Sequence, residues 1–177
     1  MEFDKEKFKC VLSYIINRCE NKKNVGKTVI CKLLYFSDFN YYEKFETSIT
    51  NEIYIKYERG PYPQHIDEIL NEMINDDDII IEKKPYFGTT IHKHYLKEVP
   101  NLTALNTKEL SVINEVIDEL GDLSAKEVSE YSHGDMPWMI AEDNEDLDYE
   151  YVFYRDPEYS VREYDDWIHH KDLSQIW

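Results

Sequence analysis

Thr28-Val-Ile-Cys-Lys-Leu-Leu-Tyr-Phe-Ser-Asp-Phe39 is the stretch around which the rest of the chain has to be arranged. Read at 3.6 residues per turn, Val29, Ile30, Leu33, Leu34, Tyr35, Phe36 and Phe39 cover most of the circumference of a helix spanning roughly 29–43, with Thr28 as its cap. A helix that is apolar nearly all round must be buried on all sides. It is therefore expected at the centre of the fold.

The flanking segments read as its cover. Asp4 caps a first helix with Phe8, Val11, Leu12, Ile15, Ile16 and Cys19 on one face, and the polar run Asn21–Gly26 breaks it. After the central helix, Ile53-Tyr-Ile-Lys-Tyr57 alternates like a strand and stops at Arg59-Gly60-Pro61. Pro63 can open a third helix carrying Ile66, Ile69, Leu70 and Met73, ended by Asn75-Asp-Asp-Asp78. Ile79–Pro85 and Thr90–Lys97 predict a hairpin turning near Phe87-Gly88. Asn106 caps a fourth helix, which Gly121 closes. Ser124-Ala-Lys-Glu127 is a capping box for a fifth, and Pro137-Trp-Met opens one more short turn. The expected class is α+β, mainly α: five to six helices around a buried central helix, with one small antiparallel sheet made of the hairpin plus one strand. Residues 1–177 read as one domain, with a core over about 4–140 and an acidic, tyrosine-rich segment over 141–177. For Glu142–Asp166 composition leaves two arrangements open, folded onto the body or extended as an acidic arm.

The charge balance narrows the function. Apolar residues make up 42% and aromatics 14%, so the net charge of −17 sits on a folded body. Residues 139–177 hold 12 acids against 3 bases, and residues 1–138 hold 25 against 17, so more than half the net charge lies in the last fifth of the chain. Such a surface repels nucleic-acid phosphates and anionic lipid and favours a basic protein partner. Apolar runs such as Ile79-Ile-Ile81 are far too short to span a membrane, and the charged N-terminus lacks a signal core; a cytoplasmic protein is expected. Cys10, Cys19 and Cys31 read as small core residues, not as a disulfide set or a metal site.

Candidate chemistry is sparse. Gly26-Lys27-Thr28 resembles the end of a phosphate loop, but Asn21 stands where another glycine is required and a helix precedes instead of a strand. His92 and His94, two apart on a strand, share a face but have no third ligand close in sequence, and two exposed strand histidines are the simpler reading. The third helix would have to be the recognition helix of a winged-helix reader, yet Gln64, His65, Asp67, Glu68, Asn71 and Glu72 offer phosphates no cation. The expectation is a protein with no cofactor, no metal and no catalytic residues, binding another protein.

Three stretches in order carry a family resemblance: Lys32-Leu-Leu-Tyr-Phe-Ser-Asp38; Ile49-Thr-Asn-Glu-Ile-Tyr54 through Gly60-Pro61-Tyr-Pro63; and Leu123-Ser-Ala-Lys-Glu-Val-Ser through Tyr131-Ser-His133 to Pro137-Trp138. Together they are similar to the Panacea domain, the SocA-like antitoxin family also found in phage-associated proteins. The resemblance implies an antitoxin of a type II-like toxin–antitoxin module that neutralises its cognate toxin by direct contact, the toxin being encoded by a neighbouring gene. It pairs the family with chemically unrelated toxins, some of which modify transfer RNA, and one member delivers its toxin to a protease. A DNA-binding regulator, acting alone or with the toxin, and a protease adaptor are the competing readings.

The motif residues Lys32, Leu34, Tyr35, Asp38, Gly60, Pro61, Ser132, His133, Pro137 and Trp138 are expected to form scaffold. Trp138 should plug the domain between helices, and His133 should hydrogen-bond a carbonyl or carboxylate beside it. The expected toxin-docking strip lies beyond them, with Glu145, Asp146 and Asp148 as steering charges and Tyr149, Tyr151, Tyr154 and Tyr159 as anchors.

Overall fold

In the computed structural model, which describes residues 2–163, the segment quoted above lies in the longest helix and at the centre of the packing. Helix α2 spans Lys27–Phe45, and Val29, Ile30, Leu33, Leu34, Tyr35, Phe36 and Phe39 are all at most 2% exposed. Helix α1 (Lys5–Arg18), α4 (Thr107–Leu120) and α5 (Ala125–His133) pack around it. The caps at three of these starts follow the sequence. Asp4 accepts from Lys7 N at 3.0 Å, and Asn106 with Glu109 and Ser124 with Glu127 close reciprocal capping boxes. At α2 the cap is Gly26, not Thr28; the helix starts at Lys27 with no side chain on its first amides.

The strand content is small and antiparallel, but it forms two separate ribbons where one sheet was expected. Strand β1 (Tyr54–Tyr57) turns back after two residues into β2 (Gly60–Pro63), with Tyr57 opposite Gly60 and Tyr54 opposite Pro63. The stretch read as a stop signal is thus the second arm of a hairpin. Gly60 takes φ +104°, a backbone state that side chains resist, and this permits the reversal. Pro61 and Pro63 fall at alternate positions, so their missing donors face away from β1. Helix α3 consequently begins at Ile66, not at Pro63, and ends at Asn75. Its start is fixed by buried Glu52, which accepts from His65 N at 3.1 Å and lies 2.7 Å from His65 Nδ1.

Strands β3 (Ile79–Tyr86) and β4 (Thr89–Leu96) pair in the expected hairpin. Phe87 and Gly88 form its two-residue turn, both at positive φ, the twist-matched geometry for such a loop. His94 is 4% exposed and His92 is exposed, so the two histidines are not an exposed pair. Cys10, Cys19 and Cys31 are free and buried. Helix α6 covers Met136–Ile140, and a 3-10 helix covers Tyr149–Tyr154. Between them, residues 144–147 run along the open edge of β1. Asn144 N donates to Lys56 O at 2.9 Å, Lys56 N to Glu145 O at 2.9 Å, and Leu147 N to Tyr54 O at 2.8 Å. Of the two arrangements open to the acidic segment, residues 142–163 adopt the one folded onto the body. Among the described residues no helix is long and apolar enough to cross a membrane.

Candidate functional site

Helix α2 buries charged and polar groups as well as hydrocarbon: Lys32, Asp38, Asn40 and Glu43 are all at most 7% exposed. A buried charge is tolerated only when paired and hydrogen-bonded, and the partners come from distant parts of the chain. Arg155, just past the 3-10 helix, makes a two-pronged contact with Asp135: Nε donates to Oδ1 at 2.8 Å and Nη2 to Oδ2 at 2.7 Å. Its Nη1 donates to Asn40 Oδ1 at 2.9 Å and to Glu43 Oε2 at 2.8 Å. Tyr35 donates its hydroxyl to Asp135 Oδ2 at 2.8 Å, and Glu43 also accepts from Ser160 Oγ at 2.6 Å and Val161 N at 3.2 Å. Burial alone would favour loss of the guanidinium charge, but Asp135 and Glu43 reverse that and hold Arg155 above its ordinary value. This network ties α2, the α5–α6 junction and the C-terminal segment together.

A second cluster lies under the β1–β2 turn. Lys32 Nζ donates to Pro61 O at 3.1 Å, and burial lowers its pKa. A Cβ on Gly60 would stand 2.3 Å from Ser132 Oγ and 2.5 Å from Lys32 Cε, so α2, α5 and the turn close on a glycine here because nothing larger fits. Asp38, one turn and a half along α2, accepts from Ile49 N, Thr50 N, Thr50 Oγ1 and the Tyr54 hydroxyl at 2.6–3.0 Å. Burial nevertheless pushes its carboxyl up to about 6. Lys32, Leu34, Tyr35, Asp38, Gly60, Pro61 and Ser132 are therefore brought together as buried scaffold, and Pro137 is buried as well.

Trp138 and His133 depart from expectation. Trp138 is only partly buried, so it is a stacked cover and not a plug. Its ring lies 4.3 Å from His133, nearly parallel, with Lys56 Nζ 4.2 Å from the ring centre on the cation–π side. Its Nε1 donates to Tyr57 O at 3.3 Å. His133 Nε2 is buried without a hydrogen-bond partner, so stacking holds this ring instead of the expected carbonyl or carboxylate. A five-residue helix opening on Asp135 is too short to carry Trp138 into the interior.

The expected docking strip divides. Tyr149 stacks on Phe39 at 4.1 Å and donates to Glu52 O at 2.7 Å, and burial raises its pKa well above the usual phenol value. Tyr159 donates to Tyr131 O at 2.9 Å and packs against Gly134. Both are structural. Tyr151 is half-buried, and Tyr154 is 67% exposed. Glu145 and Asp146 are exposed, with only their backbone engaged; Asp148 is exposed but caps the 3-10 helix through Glu150 N at 2.9 Å. Tyr164, Asp165 and Asp166 lie outside the described residues.

What the surface offers instead is a mixed face. Met139 and Ile140, 53% and 44% exposed, follow Trp138 on α6; Tyr57, 42% exposed, adjoins Trp138; Tyr154 comes from the 3-10 helix packed against α6. Glu142, Asp143, Glu145 and Asp146, all exposed, follow α6 in the chain, where residues 144–147 run along β1. Exposed apolar side chains beside a polar, mainly acidic margin have the anatomy of a protein interface. Arg155, Asp135 and Glu43 were missed by the sequence reading. The signal was there in Arg155, one of only two cations between Glu142 and Asp166.

A family model described as antitoxin SocA-like, Panacea domain, matches residues 30–139. That range takes in α2 from Ile30 onward, the Gly60 turn and Trp138, and it stops just before the acidic stretch. Neither curated proteins nor solved structures give a significant match.

Proposed function

This chain belongs to the SocA-like antitoxin family with the Panacea domain, and from that premise we propose that it neutralises a cognate toxin by direct protein contact. The family match across residues 30–139 carries the proposal. The face built from Tyr57, Met139, Ile140 and Tyr154 with the acids Glu142, Asp143, Glu145 and Asp146 beside it is the surface we assign to the toxin. Its acids steer a basic partner toward the face, and its apolar centre holds the partner once docked. A toxin that handles transfer RNA carries a basic groove, and the acidic stretch can fill that groove as phosphates do. The contribution of this chain is binding without a reaction of its own. In support, Asp38, Asp135, Glu43 and Arg155 have their hydrogen bonds satisfied inside the protein and are closed to substrate.

Co-expression with the product of the adjacent reading frame tests the proposal. A stable complex and relief of growth arrest are expected. A neighbour that is not toxic, or one that stays toxic and uncomplexed, would contradict it.

A further inference from the structure

The acidic stretch after α6 is crowded, yet it has a definite shape. Glu142, Asp143, Glu145 and Asp146 put four carboxylates into five residues, and like charges this close repel one another. Repulsion alone would spread the loop. Instead it closes: Glu145 N donates to Glu142 O at 3.0 Å, and Asn144 sits at φ +65°, a left-handed state that asparagine tolerates.

One residue of β1 holds this turn at both ends. The Lys56 main chain pairs with the far end: Asn144 N donates to Lys56 O and Lys56 N to Glu145 O, both at 2.9 Å. The Lys56 side chain takes the near end. Its Nζ lies 4.2 Å from the centre of the Trp138 ring and donates to Ala141 O at 2.9 Å. Asp143 Oδ1 stands 4.0 Å from the same ammonium, but the Asp143 side chain is 89% exposed, so that pair adds little. The Lys56 side chain itself is only 12% exposed. A cation is the wrong sign for a surface that attracts a basic partner. This one is turned inward, where its hydrogen bond and its contact with Trp138 act on the turn instead of the field outside.

We propose that Lys56 is a positioning residue of the toxin-docking face: it clamps residues 141–145 in one shape, so that the exposed carboxylates stand in place before the partner arrives. This role rests on the toxin reading above and adds to it the group that orders the acids. A loop ordered in advance spares binding the entropy cost of ordering it, so the clamp acts on how long the partner stays more than on how fast it arrives. Steering has the opposite sign. Removing the Lys56 charge makes the face more negative, which by charge alone speeds association with a basic partner.

Two variants of the full chain test this: Lys56→Met, which keeps the stem and loses the ammonium, and Lys56→Arg, which keeps the charge. Hydrogen exchange comes first. In Lys56→Met the amides of Asn144 and Glu145 should exchange at least about tenfold faster while those of α2 are unchanged, and Lys56→Arg should stay near the parent. Binding to the product of the adjacent reading frame comes second. Lys56→Met should dissociate about tenfold faster with no fall in association rate, and Lys56→Arg should restore most of the residence time. Unchanged exchange at Asn144 and Glu145, or exchange that quickens equally in α2, overturns the proposal. So does a Lys56→Met that holds the partner as tightly as the parent does, since Lys56 would then be only a charge on the face. A parent that binds nothing contradicts the toxin reading itself, and the clamp is then decided by exchange alone.

Discussion

Residues 142–148 and residues 149–163 are adjacent and both acidic, yet they do opposite things. The first run adds its backbone to β1 and leaves Glu142, Asp143, Glu145 and Asp146 in solvent. The second sinks into the body: Tyr149 stacks on Phe39, Tyr159 reaches Tyr131 O, and Arg155 satisfies two carboxylates and an amide below 10% exposure. What separates them is composition: the first run holds five acids with no aromatic and no cation, whereas the second holds five aromatics and two arginines, of which Arg155 is buried. A guanidinium can enter a protein if carboxylates wait for it, and Asp135 and Glu43 do; isolated carboxylates with no cation stay outside. The difference teaches that the tyrosines of an acidic segment are not interchangeable anchors, because the buried cation decides which side of the chain faces inward.

The largest expected effect lies on the interior side. Arg155→Ala leaves Asp135 and Glu43 buried without their charge partner, and breaking one side of a buried pair costs about 3–5 kcal/mol. Chemical denaturation reads it directly. A loss under about 1 kcal/mol would mean that the C-terminal segment is not fastened by this network. Arg155→Lys should recover only part of the loss, since a lysine cannot fork onto Asp135.

The interior also has a pH signature. Asp38, raised from 3.8 to about 6 by burial, binds more protons folded than unfolded, so its contribution falls as pH rises from about 4 to 6. His94, lowered from 6.5 to about 4 by burial, binds fewer, so its contribution rises over nearly the same window. The two oppose each other in the parent. In His94→Gln the parent-minus-variant stability difference should grow with pH between about 4 and 6.5, by up to about 3 kcal/mol. A pH-independent difference would show that His94 titrates normally.

Trp138 belongs partly to each side. A fully buried Trp→Ala costs about 3–5 kcal/mol; as a half-exposed cover stacked on His133, Trp138 should cost about 2 kcal/mol. A loss at the full value would restore the plug. Smaller still, Tyr149→Phe removes one buried hydrogen bond and should cost about 1 kcal/mol, while Tyr154→Phe should be within about 0.5 kcal/mol of the parent. Equal losses at the two tyrosines would erase the distinction between buried and exposed tyrosines within residues 149–163.

The central helix was legible because Val29 to Phe39 repeats apolar residues at every register of a helix, a pattern with one physical solution. The caps at Asp4, Asn106 and Ser124 were legible for the same local reason. The β1–β2 turn was not, because Gly60-Pro61 punctuates a hairpin and a helix start alike, and only the closure of Lys32 and Ser132 on Gly60 separates them. The site was half legible. Glu145 and Asp146 could be read as exposed, but the burial of Tyr149 depends on Phe39 and Glu52, some hundred residues away in sequence. Asp148 was grouped with its acidic neighbours, although it caps the 3-10 helix, a local bond that the spacing Asp148-x-Glu150 permits. That role makes Asp148 unsuitable for charge reversal, because its loss would confuse folding with docking.

The test with the fewest structural side effects therefore uses Glu142→Lys, Glu145→Lys and Asp146→Lys together, three exposed side chains whose reversal should leave stability within about 0.5 kcal/mol. The measurement is the association rate with the cognate toxin over a series of salt concentrations. The account predicts a rate about tenfold or more below the parent at low salt, and a salt dependence largely abolished or inverted. An unchanged rate with an unchanged salt slope would contradict it and place the toxin on another face.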